Sequence, residues 1–236
     1  MSRIPPAGAP PRLKPPAACL LACALLLLPS CVGRPPEILS IAWQIELIHD
    51  QELGSVYTAL SLFVKPNDPD GIEDLGELFL INDAEELFWA LDSVTWQKSG
   101  GGGDVWIGAN GIRMPDGSPL PAGEYRVLLR DIGGDSTEQT VRLPAFSAER
   151  ARPFTPQVTV QDGSIRIAGK AASFLLWLYD REGRYAAAYP VQGRSQDIAA
   201  LLSAYPALAG GFRFRVWAPL SQEHTAVVSG PYTWTP

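Results

Sequence analysis

The sequence predicts a mainly β protein built as two tandem β-sandwiches, each with one short helix. Three observations carry that expectation. Twenty-two glycines and 22 prolines punctuate short apolar segments along the 236 residues, the texture of a chain with many strands and turns. Within most of those segments apolar and polar residues alternate with a period of two, the mark of a strand with one buried face. All seven tryptophans lie beyond residue 42, which supplies enough bulk for two cores.

In chain order, Ile41, Trp43, Ile45 and Leu47 alternate with Ala42, Gln44 and Glu46, and Val56, Thr58, Leu60, Leu62 and Val64 repeat the pattern after a turn at residues 51–54, so the two read as a hairpin. An acidic loop, residues 67–77, precedes a short strand at 78–81. Residues 83–91 offer Asp83 as an N-cap with Glu86 three residues on, and Leu87 and Leu91 share one helical face, which predicts one or two turns of helix. Residues 94–98 and 105–107 flank the Gly100–Gly103 run as a hairpin. Residues 124–131 and 137–143 flank Ile132-Gly133-Gly134-Asp135 as another. The alternation stops over 145–156, where Pro153 and Pro156 mark a linker. This divides the chain into a first domain over 37–144 and a second over 157–236. Beyond the linker, strands are expected at 158–160, 164–168, 174–179, 185–191, 212–217 and 225–228, with residues 230–234 closing the chain. A helix capped by Ser195 is expected to place Ile198, Leu201, Leu202 and Tyr205 on one face.

The two halves echo each other. Leu120-Pro121-Ala122-Gly123-Glu124-Tyr125-Arg126-Val127 parallels Leu208-Ala209-Gly210-Gly211-Phe212-Arg213-Phe214-Arg215-Val216 with one residue inserted. These stretches resemble immunoglobulin-like and fibronectin type III sandwiches, in which a leucine, a turn and an aromatic open the penultimate strand. The resemblance implies that Tyr125 forms a tyrosine corner. It also implies that Phe214, lacking the hydroxyl, keeps only the packing half of that motif. Neither half carries the cysteine pair of true immunoglobulin domains.

Ahead of both domains, Arg3, Arg12 and Lys14 form a positive leader, and the twelve residues from Ala17 to Leu28 are apolar. That run is too short to cross a bilayer, which takes ~20 residues, and has the layout of a secretory signal. Leu28-Pro29-Ser30-Cys31 resembles the bacterial lipobox. The resemblance implies cleavage after Ser30, so that residues 1–30 are a signal peptide and Cys31 carries a diacylglyceryl group. Two acyl chains suffice for stable membrane anchoring. Residues 31–36 then form a lipidated tether reaching at most ~20 Å. Val32 is not the aspartate of an inner-membrane retention signal, which points to the outer membrane.

Cleavage would remove Cys19 and Cys23, and lipid would consume Cys31, so no thiol remains for a disulfide, a thiolate metal site or a nucleophile. It would also remove three of the 19 basic residues and none of the 25 acidic ones, leaving a formal charge of −9. Nucleic acid, which requires a basic footprint, is excluded as a partner.

Candidate chemistry is sparse. His49 and His224 are the only histidines, and neither sits in a catalytic motif. With Gly71 as the sixth position of a calcium loop, Asp68, Asp70, Asp74 and Glu77 fall at ligand positions, but Pro66 takes the first, so a solvated turn is expected rather than a metal site. Trp89, Trp96 and Trp106 cluster near the glycine hairpin as a candidate ligand platform. The expectation is therefore a non-enzymatic, lipid-anchored envelope protein with no cofactor beyond its lipid, acting as a scaffold or protein-interaction module for another envelope protein. The alternative is a carbohydrate-binding or adhesive module using loop-end aromatics.

Overall fold

The computed structural model describes residues 34–101 and 104–236. The expected signal peptide, the lipobox and Cys31 lie outside the described residues. Fifteen strands form among those residues: β1 (Glu37–Asp50), β2 (Ser55–Asn67), β3 (Leu75–Asn82), β4 (Leu87–Asp92), β5 (Gln97–Gly101), β6 (Asp104–Ile112), β7 (Gly123–Asp131), β8 (Ser136–Leu143), β9 (Gln157–Gln161), β10 (Ser164–Ala168), β11 (Leu175–Tyr179), β12 (Tyr185–Pro190), β13 (Ser195–Asp197), β14 (Phe212–Pro219) and β15 (Thr225–Trp234). Two short helices accompany them, α1 (Ala148–Ala151) and α2 (Ile198–Ala204).

The strands make three sheets. One has the order β4-β3-β7-β8, a second β13-β10-β9, and the third runs through eight strands as β12-β11-β14-β15-β1-β2-β6-β5. In the first half β1-β2-β6-β5 faces β4-β3-β7-β8, and in the second β13-β10-β9 faces β12-β11-β14-β15. Both are the Greek-key arrangement of immunoglobulin-like and fibronectin type III sandwiches. The halves join where β1 pairs in parallel with β15 from Ile45↔Thr225 to Asp50↔Gly230.

Register shows that both sandwich cores lie on the same side of the long sheet. Ala218 pairs with Val227, which pairs with Leu47, and side chains in register share a face. Ala218 belongs to the second core, with Phe174, Leu176, Phe212 and Phe214. Two residues before Leu47, Ile45 belongs to the first, with Leu60, Leu80, Val127 and Leu129. Leu47 and Val227 form a third cluster at the seam, closed by Phe146, Ala151 and Phe154. Residues 145–156, expected as a linker, thus fold into α1 and a 3-10 turn, Arg152–Phe154, that fill the gap between the two covering sheets. Thr155 at the end of that turn meets His49 Nε2 at 2.7 Å, so His49 ties β1 to this segment. Burial, reinforced by the charge of Arg152, lowers the His49 pKa.

The tyrosine corner is present: the Tyr125 hydroxyl donates to the Pro121 carbonyl at 2.8 Å, and the ring is fully buried. Phe214 packs in its place in the second half against Phe212 and Tyr232. The helix in the second half is capped by Asp197 rather than Ser195, its carboxylate accepting from Ala200 N–H at 3.0 Å. Ile198 and Leu201 are buried as expected.

Residues 83–91 form a hairpin rather than a helix. The Asn82 side chain accepts from the N–H groups of Ala84 and Glu85, and Glu86 takes φ 54°, which closes a turn where a helix would have begun. Leu87, Trp89 and Leu91 then alternate, half-buried, with exposed Phe88, Ala90 and Asp92 along β4. Cross-strand pairing with β3 outweighs the cap signal. In β6, Gly108 lies so close to β2 that a Cβ there would sit 2.0 Å from the Leu62 carbonyl oxygen, which explains a glycine inside a strand.

Candidate binding face: the open side of the eight-stranded sheet

Neither smaller sheet covers the opposite face of the eight-stranded sheet. Across it, in register, run Trp217, Val228, Ile48 and Tyr57. One row over, Trp177 pairs with Arg215, and beyond that Tyr179 pairs with both Arg213 and Tyr185. From β12 to β2 this face spans five strand spacings, about 24 Å. Ile48, Ala59 and Val228 are buried in a fourth apolar cluster beneath Tyr57, Trp177 and Trp217, which stay half-exposed. The alternation that buries Leu176 and Leu178 sends Trp177 to the outside, and the one that buries Phe212, Phe214 and Val216 does the same for Arg213, Arg215 and Trp217.

Polar groups on this face are held in place by one another. Trp217 Nε1–H donates to Gln44 Oε1 at 3.0 Å, so the indole reaches from β14 across β15 to β1. Arg215 donates to Asp50 at 3.1 Å, and Arg213 pairs with Glu52. Burial raises the Asp50 carboxyl, but the Leu53 N–H and Arg215 outweigh it and hold the pKa below its ordinary value. Arg113, from the loop after β6, lies over the Tyr57 ring at 4.8 Å. Tyr179 and Tyr185 meet edge to face with centroids 5.8 Å apart.

Glu46 sits among these groups, only 3% exposed, on a row with Ala226 and Ala59. The small neighbours leave room for the carboxyl. Ser61 Oγ donates to it at 3.4 Å. Burial pushes its pKa up to about 7, against the lowering effects of Ser61 and Arg215.

The three tryptophans expected to form a platform are dispersed. Trp96 is buried in the first core at 7% exposure, and Trp89 packs partly against that core while its Nε1–H donates to the Arg113 carbonyl at 3.1 Å. Trp106 alone lies on the open face: it pairs with Ser99, and its neighbour Ile107 points into the core. Among the described residues these three rings do not stack on one another.

In the acidic loop Asp68 Oδ1 accepts from Asp70 N–H, Asp70 Oδ2 from Arg34 N–H, and Glu77 pairs with Arg130 at 3.1 Å. Partial desolvation, with the charges of Asp131, Asp68 and Asp70, raises the Asp74 carboxyl. Among the described residues no three His, Cys, Asp or Glu side chains converge on a metal position. His224 stacks on Trp43 with ring centroids 4.3 Å apart.

No family model and no curated protein matches the chain. Solved structures similar to it include dimeric latent PorU from Porphyromonas gingivalis, at 15% identity and TM-score 0.34 over 86% of this chain and 21% of that one. Another is Tp47, the 47-kilodalton lipoprotein of Treponema pallidum, at 14% identity and TM-score 0.41 over 82% of this chain and 50% of that one. A third is the BSP domain of a biofilm-associated protein, at 14% identity and TM-score 0.25 over 74% of this chain and 27% of that one. The chain spans from about a fifth to a half of the length of these proteins. At such scores the likeness carries no function across. Among the described residues no helix is long and apolar enough to cross a membrane.

Proposed function

We propose that the protein is a lipid-anchored, non-enzymatic recognition module of the bacterial cell envelope, and that it docks another envelope protein on the open face of its eight-stranded sheet. The observation that carries this reading is the composition of that face. Trp177, Trp217, Tyr57, Tyr179, Tyr185, Arg213 and Arg215 share one side of a rigid sheet, and Trp, Tyr and Arg are the residues that dominate protein-binding hot spots. Their ion pairs and hydrogen bonds fix the side chains before a partner arrives, which lowers the ordering cost of association. The resemblance of residues 28–31 to a lipobox supports the anchor at Cys31, with the outer membrane favoured by Val32.

Site-specific photocrosslinking in cells tests the docking. A crosslinker at Ala188, exposed beside Trp177, is expected to trap one discrete protein, and a crosslinker at Thr140 on the far side of the first half is not. Equal, diffuse crosslinking from both positions would end this reading. The anchor is tested separately by metabolic labelling with palmitate, which Cys31→Ser is expected to abolish.

A further inference from the structure

We infer that the second half carries a separate site for an acidic polysaccharide, on the outer face of its three-stranded sheet. A groove of about 390 Å³ opens there, lined by Gln157, Thr159, Arg166, Gln192, Arg194 and Ser195 above a floor of Ile167 and Ala168. Register builds it. Arg166 pairs with Thr159 on one side and with Ser195 on the other, so guanidinium and two hydroxyls stand in one row. Ala168 pairs with Gln157 in the next row, where β13 no longer accompanies β10, and the turn bearing Gln192 and Arg194 forms the far wall.

The lining contains no acidic side chain, although the whole chain has a formal charge of −6. Its arginines keep donors free. Arg194 spends Nη1 on the Gly169 carbonyl at 2.6 Å and lies over the Phe174 ring at 5.7 Å, which fixes the guanidinium, while among the described residues its other N–H groups have no acidic partner. Arg166 is well exposed and, among the described residues, its charged partner is Asp162, at 3.9 Å. Two guanidiniums on one groove, Arg194 held in place and Arg166 on an exposed side chain, suit carboxylates, since the planar fork matches the planar anion. The flanking amides and hydroxyls of Gln157, Gln192, Thr159 and Ser195 both donate and accept, as sugar hydroxyls do. An open groove with this lining fits a chain of uronic acid sugars, threaded rather than enclosed. A protein docked on the open face of the long sheet would leave it accessible, because the groove lies on the opposite side of the molecule.

Titration calorimetry of the full-length protein with a linear oligogalacturonate, its neutral galactose counterpart and inorganic phosphate tests this. The uronate oligomer is expected to bind, the neutral oligomer not, and phosphate at least tenfold more weakly. Arg166→Gln is expected to weaken uronate binding at least tenfold with an unchanged melting temperature, and Gln192→Ala to weaken it severalfold. Three results would overturn the proposal: no uronate binding at millimolar concentration, binding equal to wild type in Arg166→Gln and Gln192→Ala, or phosphate as tight as the oligomer. None of them bears on crosslinking from Ala188, so the two sites stand or fall separately.

Discussion

The two faces of the eight-stranded sheet are made by the same strands yet solve different problems. On the covered face, Leu60, Leu62, Leu176, Phe214, Val216 and Val227 are fully buried, and apolar packing dominates. On the open face the buried aliphatic residues are few, and around them stand aromatics, two arginine–carboxylate pairs and a buried glutamic acid. Packing on the covered face makes the fold. The open face spends part of its surface on fixed polar geometry, which adds little stability and is useful for recognition.

That contrast predicts unequal costs of substitution. The largest falls on the covered face. Phe214→Ala leaves a void where Phe212 and Tyr232 pack, and is expected to cost about 3–5 kcal/mol in urea unfolding. A cost below about 1 kcal/mol would mean that the two faces do not differ as described.

Next in size is Glu46, the one place where the open face opposes folding. Its folded pKa of about 7 stands above the ordinary 4.5, so the folded state binds the proton more tightly than the unfolded state does. The contribution of this group to stability is therefore greatest below pH 4.5, falls as pH rises to about 7, and is level above that, a total loss of about 3 kcal/mol. Glu46→Gln is expected to remove that slope and to be more stable than wild type at pH 8 by up to the same amount. Parallel pH profiles for variant and wild type would show that the carboxyl is not buried as described.

Smaller again is the tyrosine corner. Tyr125→Phe loses one hydrogen bond to Pro121 and is expected to cost about 1 kcal/mol, while the ring stays packed. The second half already lives with that change at Phe214, which is why the loss should be modest.

The extent to which this was legible in the sequence follows from what is local. Tyr125 sits five residues after Leu120, and a corner needs no more than that, so both its hydrogen bond and its missing counterpart at Phe214 could be read. The helix at Ile198 was visible for the same reason. The seam was not, because Leu47 and Val227 are brought together by parallel pairing between the first and last strands, and nothing near either residue announces it. The open face of the long sheet was hidden for the same reason. Trp217 falls in phase with Arg213 and Arg215, a signal available in the sequence that would have placed it outward. That Trp217 reaches Gln44 follows only once β15 and β1 are neighbours. Nearness to the glycine hairpin singles out Trp89, Trp96 and Trp106, of which Trp89 and Trp96 serve the first core.

The smallest effect on stability belongs to the rim of the open face and sharpens the comparison most. Tyr185 is 61% exposed on the edge strand β12, and its principal ring contact is with Tyr179. Tyr185→Ala should change unfolding free energy by no more than about 0.5 kcal/mol, as expected for an exposed position. If the face is built for recognition, the same substitution should nonetheless reduce crosslinking from Ala188 severalfold, because a ring at the edge of a docking surface contributes to the complex and not to the fold. Crosslinking that survives Tyr185→Ala and Trp177→Ala together would leave the aromatic face with packing as its sole role.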